Sequence, residues 1–149
     1  QVTSFLEGVI RRGTGKKLRE LNLNLAGKTG TTNENTDAWF IGFTSSLVIG
    51  VYVGMDNPKS LGRYETGSKT ALPIFKSFIK SAIKKSDARP FKVAEGITMM
   101  VVDSATGQKS KFSSKDTILE AYKSKNVIDG VILYSNNNRL DSNNILKFY

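Results

Sequence analysis

The chain has 149 residues, of which 39% are hydrophobic and 23% charged, a balance typical of a globular protein with its own core. Its net charge is +9, and it contains no cysteine and no histidine. These compositions exclude disulfides, thiolate metal sites and a serine–histidine–aspartate triad built from this sequence alone. Acyl-transfer chemistry would therefore depend on a lysine or a carboxylate as its base.

Positive charge is concentrated in residues 68–92, where there are seven basic residues and one acidic residue. Most of the basic residues are lysines at helical spacing rather than arginines interleaved with aromatic residues. We therefore predict a solvated helix face and no nucleic-acid partner. An anionic membrane surface or cell-wall polymer stays open as an alternative partner.

From the sequence we expect neither a membrane span nor a leader peptide within these residues. The apolar run at 47–53 is far shorter than the about 18 residues that a membrane span needs. The chain opens at Gln1, without a charged start or an initiator methionine. We expect it to be an internal piece of a longer protein.

The first predicted elements are a helix and a strand. Apolar residues recur at helical spacing in residues 2–12, with Thr3 or Ser4 available as the N-cap and Gly13 as the stop. Leucines at positions 21, 23 and 25 then alternate with asparagines and lead into Lys28. This period of two predicts a strand over 21–31.

Two apolar runs, 38–44 and 47–54, come next and are joined by Ser45-Ser46, which predicts an antiparallel hairpin. Because each run is apolar on both faces, we expect central strands covered by helices on each side. Trp39 and Phe40 are predicted to be core and strand-pairing residues rather than ligand contacts.

A helix is predicted over 68–85, with Pro73 near its start, where proline is tolerated. Lysines recur every four residues on one side of this helix. Its predicted apolar face consists of Ala71, Phe75, Phe78, Ile79, Ala82 and Ile83.

The remaining elements are a strand over 97–102, a turn over 103–107 and a short helix over 117–122. Met99 and Met100 are predicted to fill core gaps in the strand, and Asp116 to cap the helix. The asparagine-rich residues 126–149 are predicted to be weakly ordered.

The stretch Ala26-Gly27-Lys28-Thr29-Gly30-Thr31-Thr32 has three interpretations. A phosphate loop is disfavoured, because its first glycine would fall at Asn22 and strands rather than a helix follow it. A strand that ends in Lys-Thr-Gly by chance is the plain alternative. The third interpretation is the Lys-Thr-Gly element of serine transpeptidases and serine β-lactamases.

The chemistry of these residue types suits the third interpretation. Lys28 supplies positive charge beside a serine that has no histidine base. Gly30 leaves room for a substrate backbone along the strand edge, and the hydroxyls of Thr29 and Thr31 suit a carboxylate. The Thr31 N–H could be one donor of an oxyanion hole.

Several motifs in one order make the assignment specific. Together they resemble the C-terminal part of the transpeptidase domain in class A (bifunctional) penicillin-binding proteins of the 1A type. The motifs are residues 3–13, 13–15, 26–32, 37–43, 51–54 with Asp56, 65–67 before 73–75, 96–97 and 102–107, and, more weakly, 120–123.

The resemblance implies an α+β fold, an antiparallel sheet flanked by helices that forms part of a penicillin-binding transpeptidase or serine β-lactamase-like domain. It implies that residues 1–88 belong to the transpeptidase domain, 89–125 to a C-terminal extension and 126–149 to the tail. The parent protein would be anchored in the cytoplasmic membrane and face the periplasm, with a glycosyltransferase domain elsewhere.

The resemblance also implies an activity. The parent would cross-link peptidoglycan stem peptides ending in D-Ala-D-Ala through a serine acyl-enzyme, and β-lactams would acylate the same serine. The implied catalytic residues are Lys28 and Thr31, and the implied substrate-binding residues are Thr29, Gly30, Thr31 and Thr32. No metal and no cofactor is implied.

The sequence departs from the family in one respect. The S-x-x-K and S-x-N motifs of the family precede Lys-Thr-Gly, and the 27 residues before Lys28 contain neither. Segments that match S-x-x-K or S-x-N but follow Lys-Thr-Gly occur at 77–80, 81–84, 124–126, 135–137 and 142–144. We interpret them as chance matches. We therefore expect this chain alone to be inactive and the remainder of the domain to complete the site.

A competing interpretation is a non-catalytic module, a degenerate or split relative that binds the cell wall. It would use its basic faces on anionic polymers.

Overall fold

The computed structural model describes residues 1–84, 89–111 and 116–124. The chain divides into two units, one from Val2 to Phe91 and one that begins at Lys92. The division predicted at residues 88 and 125 stays a prediction. Within the described residues, no helix has the length and hydropathy that a membrane span requires.

The first unit contains a three-stranded sheet and two α-helices. Helix α1 (Val2–Arg11) and a 3₁₀ helix (Lys16–Leu21) precede strands β1 (Ala26–Thr31), β2 (Ala38–Phe43) and β3 (Val48–Val53), and helix α2 (Ala71–Ala82) follows. The sheet order is β1-β2-β3, and both strand pairs are antiparallel. The predicted hairpin of two apolar strands is confirmed.

The strand register assigns every side chain to one of two faces. Thr29 lies opposite Phe40, and Phe40 opposite Val51. Residues directly opposite one another share a face, so we call this side the covered face. Ile10 of α1 and Phe75 and Ile79 of α2 pack with Phe40 in one core cluster.

The opposite side, here named the open face, carries Lys28 and Gly30 of β1. Trp39, Ile41 and Tyr52 lie on it and remain 42%, 48% and 49% exposed. The prediction of helices on each side of the hairpin is therefore wrong for the described residues. Both α-helices contribute to the same core, and β3 is an edge strand of the sheet that the described residues form. Trp39 is not a core residue, although it does pair across the sheet.

Strand β1 begins at Ala26, so the strand predicted over 21–31 is wrong in its first half. Asn22 adopts a left-handed backbone conformation (φ 55°) that ends the 3₁₀ helix. The leucines reach the core from a helix and a loop instead, with Leu18 and Leu25 buried and Leu21 and Leu23 packed beside them. Their alternation therefore reflects loop packing and not a strand period.

The two α-helices are confirmed, with changes at their ends. Helix α1 begins at Val2, so Thr3 and Ser4 both lie inside it, and neither is the N-cap. Helix α2 is shorter than predicted, and Ile83 is already extended. Its core stripe runs through Ala71, Leu72, Phe75 and Ile79, which leaves Phe78 exposed against prediction.

The second unit contains an antiparallel pair, β4 (Ile97–Asp103) and β5 (Thr117–Lys123). The predicted strand at 97–102 is confirmed, whereas the predicted helix at 117–122 is wrong. Pairing along the whole of β4 supplies backbone hydrogen bonds that outweigh the local helical preference of a short segment.

The turn predicted at 103–107 is confirmed. The Asp103 carboxylate accepts hydrogen bonds from the Thr106 N–H, the Thr106 hydroxyl and the Ala105 N–H, and these bonds lower the pKa of Asp103. Gly107 has a φ of +69°. Met100 is buried as predicted, and Met99 is half-buried. The asparagine-rich tail at 126–149 lies outside the described residues.

Candidate functional site

The candidate site is the edge of β1 that faces away from β2. Among the described residues, β1 pairs with β2 alone. The Thr32 N–H donates to the Asp37 carbonyl (3.1 Å), one position beyond the last register pair, Thr31–Ala38. Because N–H and C=O groups alternate in direction along an antiparallel strand, those of Thr29 and Thr31 point to the free edge.

Lys28 lies on the open face of this edge strand and is exposed. Its ammonium donates a hydrogen bond to the Thr29 carbonyl oxygen at 2.8 Å. That oxygen belongs to the free edge, so the bond holds the lysine side chain against the edge rather than extended into solvent.

Gly30 lies beside Lys28 on the same strand, opposite Trp39. A Cβ at this position would lie 3.2 Å from the Trp39 Cβ, a close contact. Glycine therefore keeps the strand surface flat between the lysine and the indole. This is consistent with the predicted role of Gly30 in leaving room for a substrate backbone.

Thr29 and Thr31 point to the covered face, where each hydroxyl contacts a hydrogen-bonding group of a described residue. The Thr29 Oγ1 lies 2.9 Å from the Thr14 Oγ1, and either oxygen could be the donor. The Thr31 Oγ1 accepts a hydrogen bond from the Gly67 N–H at 3.0 Å. The four predicted residues from Lys28 to Thr31 are thus arranged around one strand edge, with charge on one face and hydroxyls on the other.

Thr32 is placed differently from its neighbours. Its Oγ1 accepts hydrogen bonds from the N–H groups of Thr36 (3.0 Å) and Asp37 (2.9 Å). It also lies 2.8 Å from the Thr36 Oγ1. This side chain closes the β1–β2 turn, so a substrate contact by Thr32 would compete with three existing bonds.

Two residues of the site were not identified from the sequence, Thr14 and Gly67. Gly67 lies so close to the sheet that a Cβ there would collide with the carbonyl oxygens of Gly30 and Trp39. Both residues occur in motifs that carry the family resemblance, 13–15 and 65–67. The motifs did not show that the two residues contact β1.

The aromatic pair on the open face lies beside the edge strand. The Trp39 and Tyr52 ring centroids are 4.7 Å apart. The Tyr52 hydroxyl donates to the Asp37 carboxylate at 2.7 Å, and this hydrogen bond raises the pKa of Tyr52. The pair forms an exposed aromatic surface next to Gly30.

The S-x-x-K matches at Ser77 and Ser81 lie on exposed positions of α2. The Ser81 hydroxyl donates to the Phe78 carbonyl of its own helix at 2.9 Å. Of the S-x-N matches, the one at 124–126 is described only at Ser124, and the other two lie outside the described residues.

Comparison with known proteins identifies relatives of the chain. A family model described as the penicillin binding protein transpeptidase domain matches residues 1–80. The chain is 49% identical over 127 residues to penicillin-binding protein 1A of Rickettsia conorii, which covers 85% of this chain and 16% of that protein. It is 38% identical over 125 residues to penicillin-binding protein 1A of Pseudomonas aeruginosa, covering 83% of this chain and 15% of that protein.

A solved structure gives the same result for the fold. The crystal structure of penicillin-binding protein 1A from Haemophilus influenzae matches with a TM-score of 0.69 and 30% identity. The match covers 81% of this chain and 19% of that one. The chain therefore spans less than a fifth of the length of these relatives.

Proposed function

Because the chain belongs to the penicillin-binding protein transpeptidase family, we propose that the free edge of β1 is one wall of a peptidoglycan D,D-transpeptidase active site. The observation that carries this proposal is the arrangement of Lys28, Thr29 and Thr31 around a strand edge that no other strand of the described residues pairs with. Such an edge is suited to an extended peptide that binds as an added strand.

In this proposal a stem peptide ending in D-Ala-D-Ala lies along the edge and pairs with the outward N–H and C=O groups of Thr29 and Thr31. The hydroxyls of these threonines bind the terminal carboxylate. The Thr31 N–H donates to the carbonyl oxygen that becomes negatively charged in the transition state, a donor typically worth about 3 kcal/mol.

The nucleophile is a serine in a part of the protein outside this chain. Its oxygen bonds to the penultimate D-Ala carbonyl carbon, the peptide C–N bond breaks, and the serine proton ends on the departing D-alanine amine. The amine nitrogen of a second stem peptide then bonds to the acyl carbon, the ester C–O bond to the serine breaks, and a proton of the amine returns to the serine oxygen. Lys28 supplies positive charge for the proton transfers, acting through the serine of the missing S-x-N motif.

The open face supports an active site that is completed by other residues. Trp39, Ile41 and Tyr52 form an exposed apolar surface on the same face as Lys28. Exposed apolar patches of this kind usually mark contact sites. The remainder of the transpeptidase domain would cover it and bring the serine to Lys28, on the periplasmic side of the membrane in which the parent protein is anchored.

The test uses a fluorescent penicillin, which a transpeptidase serine attacks to give a covalent adduct visible on a denaturing gel. The intact protein that contains this sequence should be labelled, and the 149-residue chain alone should not. Lys28→Ala in the intact protein should slow labelling about 100-fold, because general acid–base groups typically contribute that much.

Labelling of the isolated chain would contradict the proposed position of the nucleophile and direct attention to Ser77 or Ser81. An intact protein that forms no adduct would contradict the transpeptidase function itself. Lys92→Ala is the matched control, because it removes an exposed lysine to which neither candidate function assigns a role, and it should leave labelling unchanged.

A non-catalytic cell-wall-binding module is the second candidate. The observation that favours it is the exposed face of α2, where Phe78 and Lys80 both reach solvent. Binding of the chain to an anionic cell-wall polymer that weakens with salt and survives Lys28→Ala would support this candidate.

A further inference from the structure

We propose that Thr14 is a positioning residue that orients the Thr29 hydroxyl as a hydrogen-bond donor to the substrate carboxylate. The inference rests on the proposed function, because it concerns the same strand edge. Its basis is the hydroxyl–hydroxyl contact of 2.9 Å between Thr14 and Thr29.

The loop that carries Thr14 is tightly attached to α1. The N–H groups of Gly13 and Gly15 both donate to the Val9 carbonyl oxygen, at 3.1 Å and 3.0 Å. Gly15 is buried, and a Cβ there would lie 2.8 Å from the Cδ1 atom of Ile10. The Thr14 backbone is therefore held between two glycines, and its side chain meets β1 from a packed support.

The equivalent contact at Thr31 shows what such a partner does. The Gly67 N–H can only donate, so the Thr31 oxygen must accept from it. The proton of the Thr31 hydroxyl is then available for another acceptor. A carboxylate accepts hydrogen bonds and donates none, so it pairs with a hydroxyl that is prepared in this way.

The Gly67 N–H is a hydrogen-bond donor to the Thr31 oxygen. The Thr14 hydroxyl can be the equivalent donor to the Thr29 oxygen. When a carboxylate is bound, the Thr29 proton points to it, and the Thr14 hydroxyl must donate to the Thr29 oxygen. The chain from Thr14 through Thr29 to the carboxylate is then a cooperative series of donors. Without the Thr14 hydroxyl, the Thr29 hydroxyl is no longer oriented by a donor, and its own hydrogen bond to the carboxylate is weaker.

The experiment measures the second-order rate of acylation of the intact protein by a penicillin with a free carboxylate. Thr14→Val removes the hydroxyl while keeping the shape, and it should slow acylation about tenfold, the upper end of what one hydrogen bond between neutral groups contributes. Thr14→Ser restores the hydroxyl and should recover most of the rate. Thr98→Val is the matched control, because it removes another hydroxyl–hydroxyl contact (2.8 Å to Ser124), and its rate should be unchanged.

Two readouts separate positioning from a general structural effect. In a Thr29→Val background, Thr14→Val should cause no further loss, since the hydroxyl it orients is gone. With a penicillin whose carboxylate is masked as a methyl ester, Thr14→Val and the unaltered protein should react at equal rates.

The outcomes also separate this inference from the proposed function. If the intact protein is acylated but Thr14→Val changes nothing, or slows the ester equally, the positioning role is wrong and the transpeptidase function stands. Additive losses in the double variant would likewise exclude it. If the unaltered intact protein is not acylated at all, both the transpeptidase function and the positioning role of Thr14 are wrong.

Discussion

The two faces of the β1–β2–β3 sheet are built from similar residues but have opposite surroundings. On the covered face Phe40 is fully buried and packs edge-on against Phe75, with ring centroids 4.7 Å apart. On the open face the neighbouring residues Trp39 and Ile41 keep more than two fifths of their surface exposed. Stability of this unit therefore depends on the covered face. The proposed chemistry depends on the edge of β1, where Lys28 lies on the open face and the hydroxyls of Thr29 and Thr31 lie on the covered face.

The largest expected effect is a difference in stability between variants of two adjacent β2 residues that lie on opposite faces of the sheet. Phe40→Ala should lower the free energy of unfolding by about 3–5 kcal/mol, because it opens a cavity against Phe75. Ile41→Ala, one residue further, should cost less than about 1 kcal/mol, because its side chain is already half-exposed. Urea denaturation of the 149-residue chain measures both values. Equal losses would contradict the assignment of the two faces.

A smaller effect should separate two glycines of the same hairpin. A Cβ at Gly42, on the covered face, would lie 2.5 Å from the Phe75 ring, so Gly42→Ala should cost about 1–3 kcal/mol. A Cβ at Gly50, on the open face, would meet only Ile41 at 3.9 Å. Gly50→Ala should be neutral or stabilise by about 0.5 kcal/mol, because alanine has less freedom to lose on folding. Thermal unfolding measures the stability of both variants. If Gly50→Ala were less stable than Gly42→Ala, the packing of α2 against Gly42 would be wrong.

The smallest effect concerns the pH dependence of the open face. Because the hydrogen bond to Asp37 raises the pKa of Tyr52, the folded state keeps the phenol proton more tightly than the unfolded state. The resulting stabilisation is fully present below the unfolded tyrosine pKa of about 10 and is lost as the pH rises through the folded value. Tyr52→Phe should therefore make stability fall less steeply above about pH 10.

Denaturation of the chain at a series of alkaline pH values measures this slope. Tyr64→Phe is the matched control, since Tyr64 is an exposed tyrosine that contacts Arg63 and Lys69 through its ring. Identical slopes for the unaltered chain and Tyr52→Phe would show that the Asp37 bond does not persist in solution.

The predictions from sequence succeeded where the pattern was local. The hairpin of β2 and β3, the helices α1 and α2 and the turn at Asp103 all follow from spacing and from turn residues within a few positions. They failed where the partner was distant. Residues 117–122 were predicted to be a short helix, because their pairing with β4 could not be recognised from local preference.

The candidate site divides in the same way. Lys28 to Thr31 were identified from motif order, and the structure arranges them along one strand edge. Thr14 and Gly67, which contact the two threonine hydroxyls, were not identified, because those contacts join residues 15 and 36 positions apart. Their placement depends on how α1 and the loop before α2 pack on β1.

The sequence by itself determined the family, the Lys-Thr-Gly strand and the apolar hairpin beside it, since each depends on residue types at short spacing. Only the tertiary structure decided which face of the hairpin the helices cover, where β1 begins, and which groups meet the hydroxyls of Thr29 and Thr31. The reason is physical. Both strands of the hairpin are apolar on both faces, so composition does not distinguish the faces, and only the packing of α1 and α2 does.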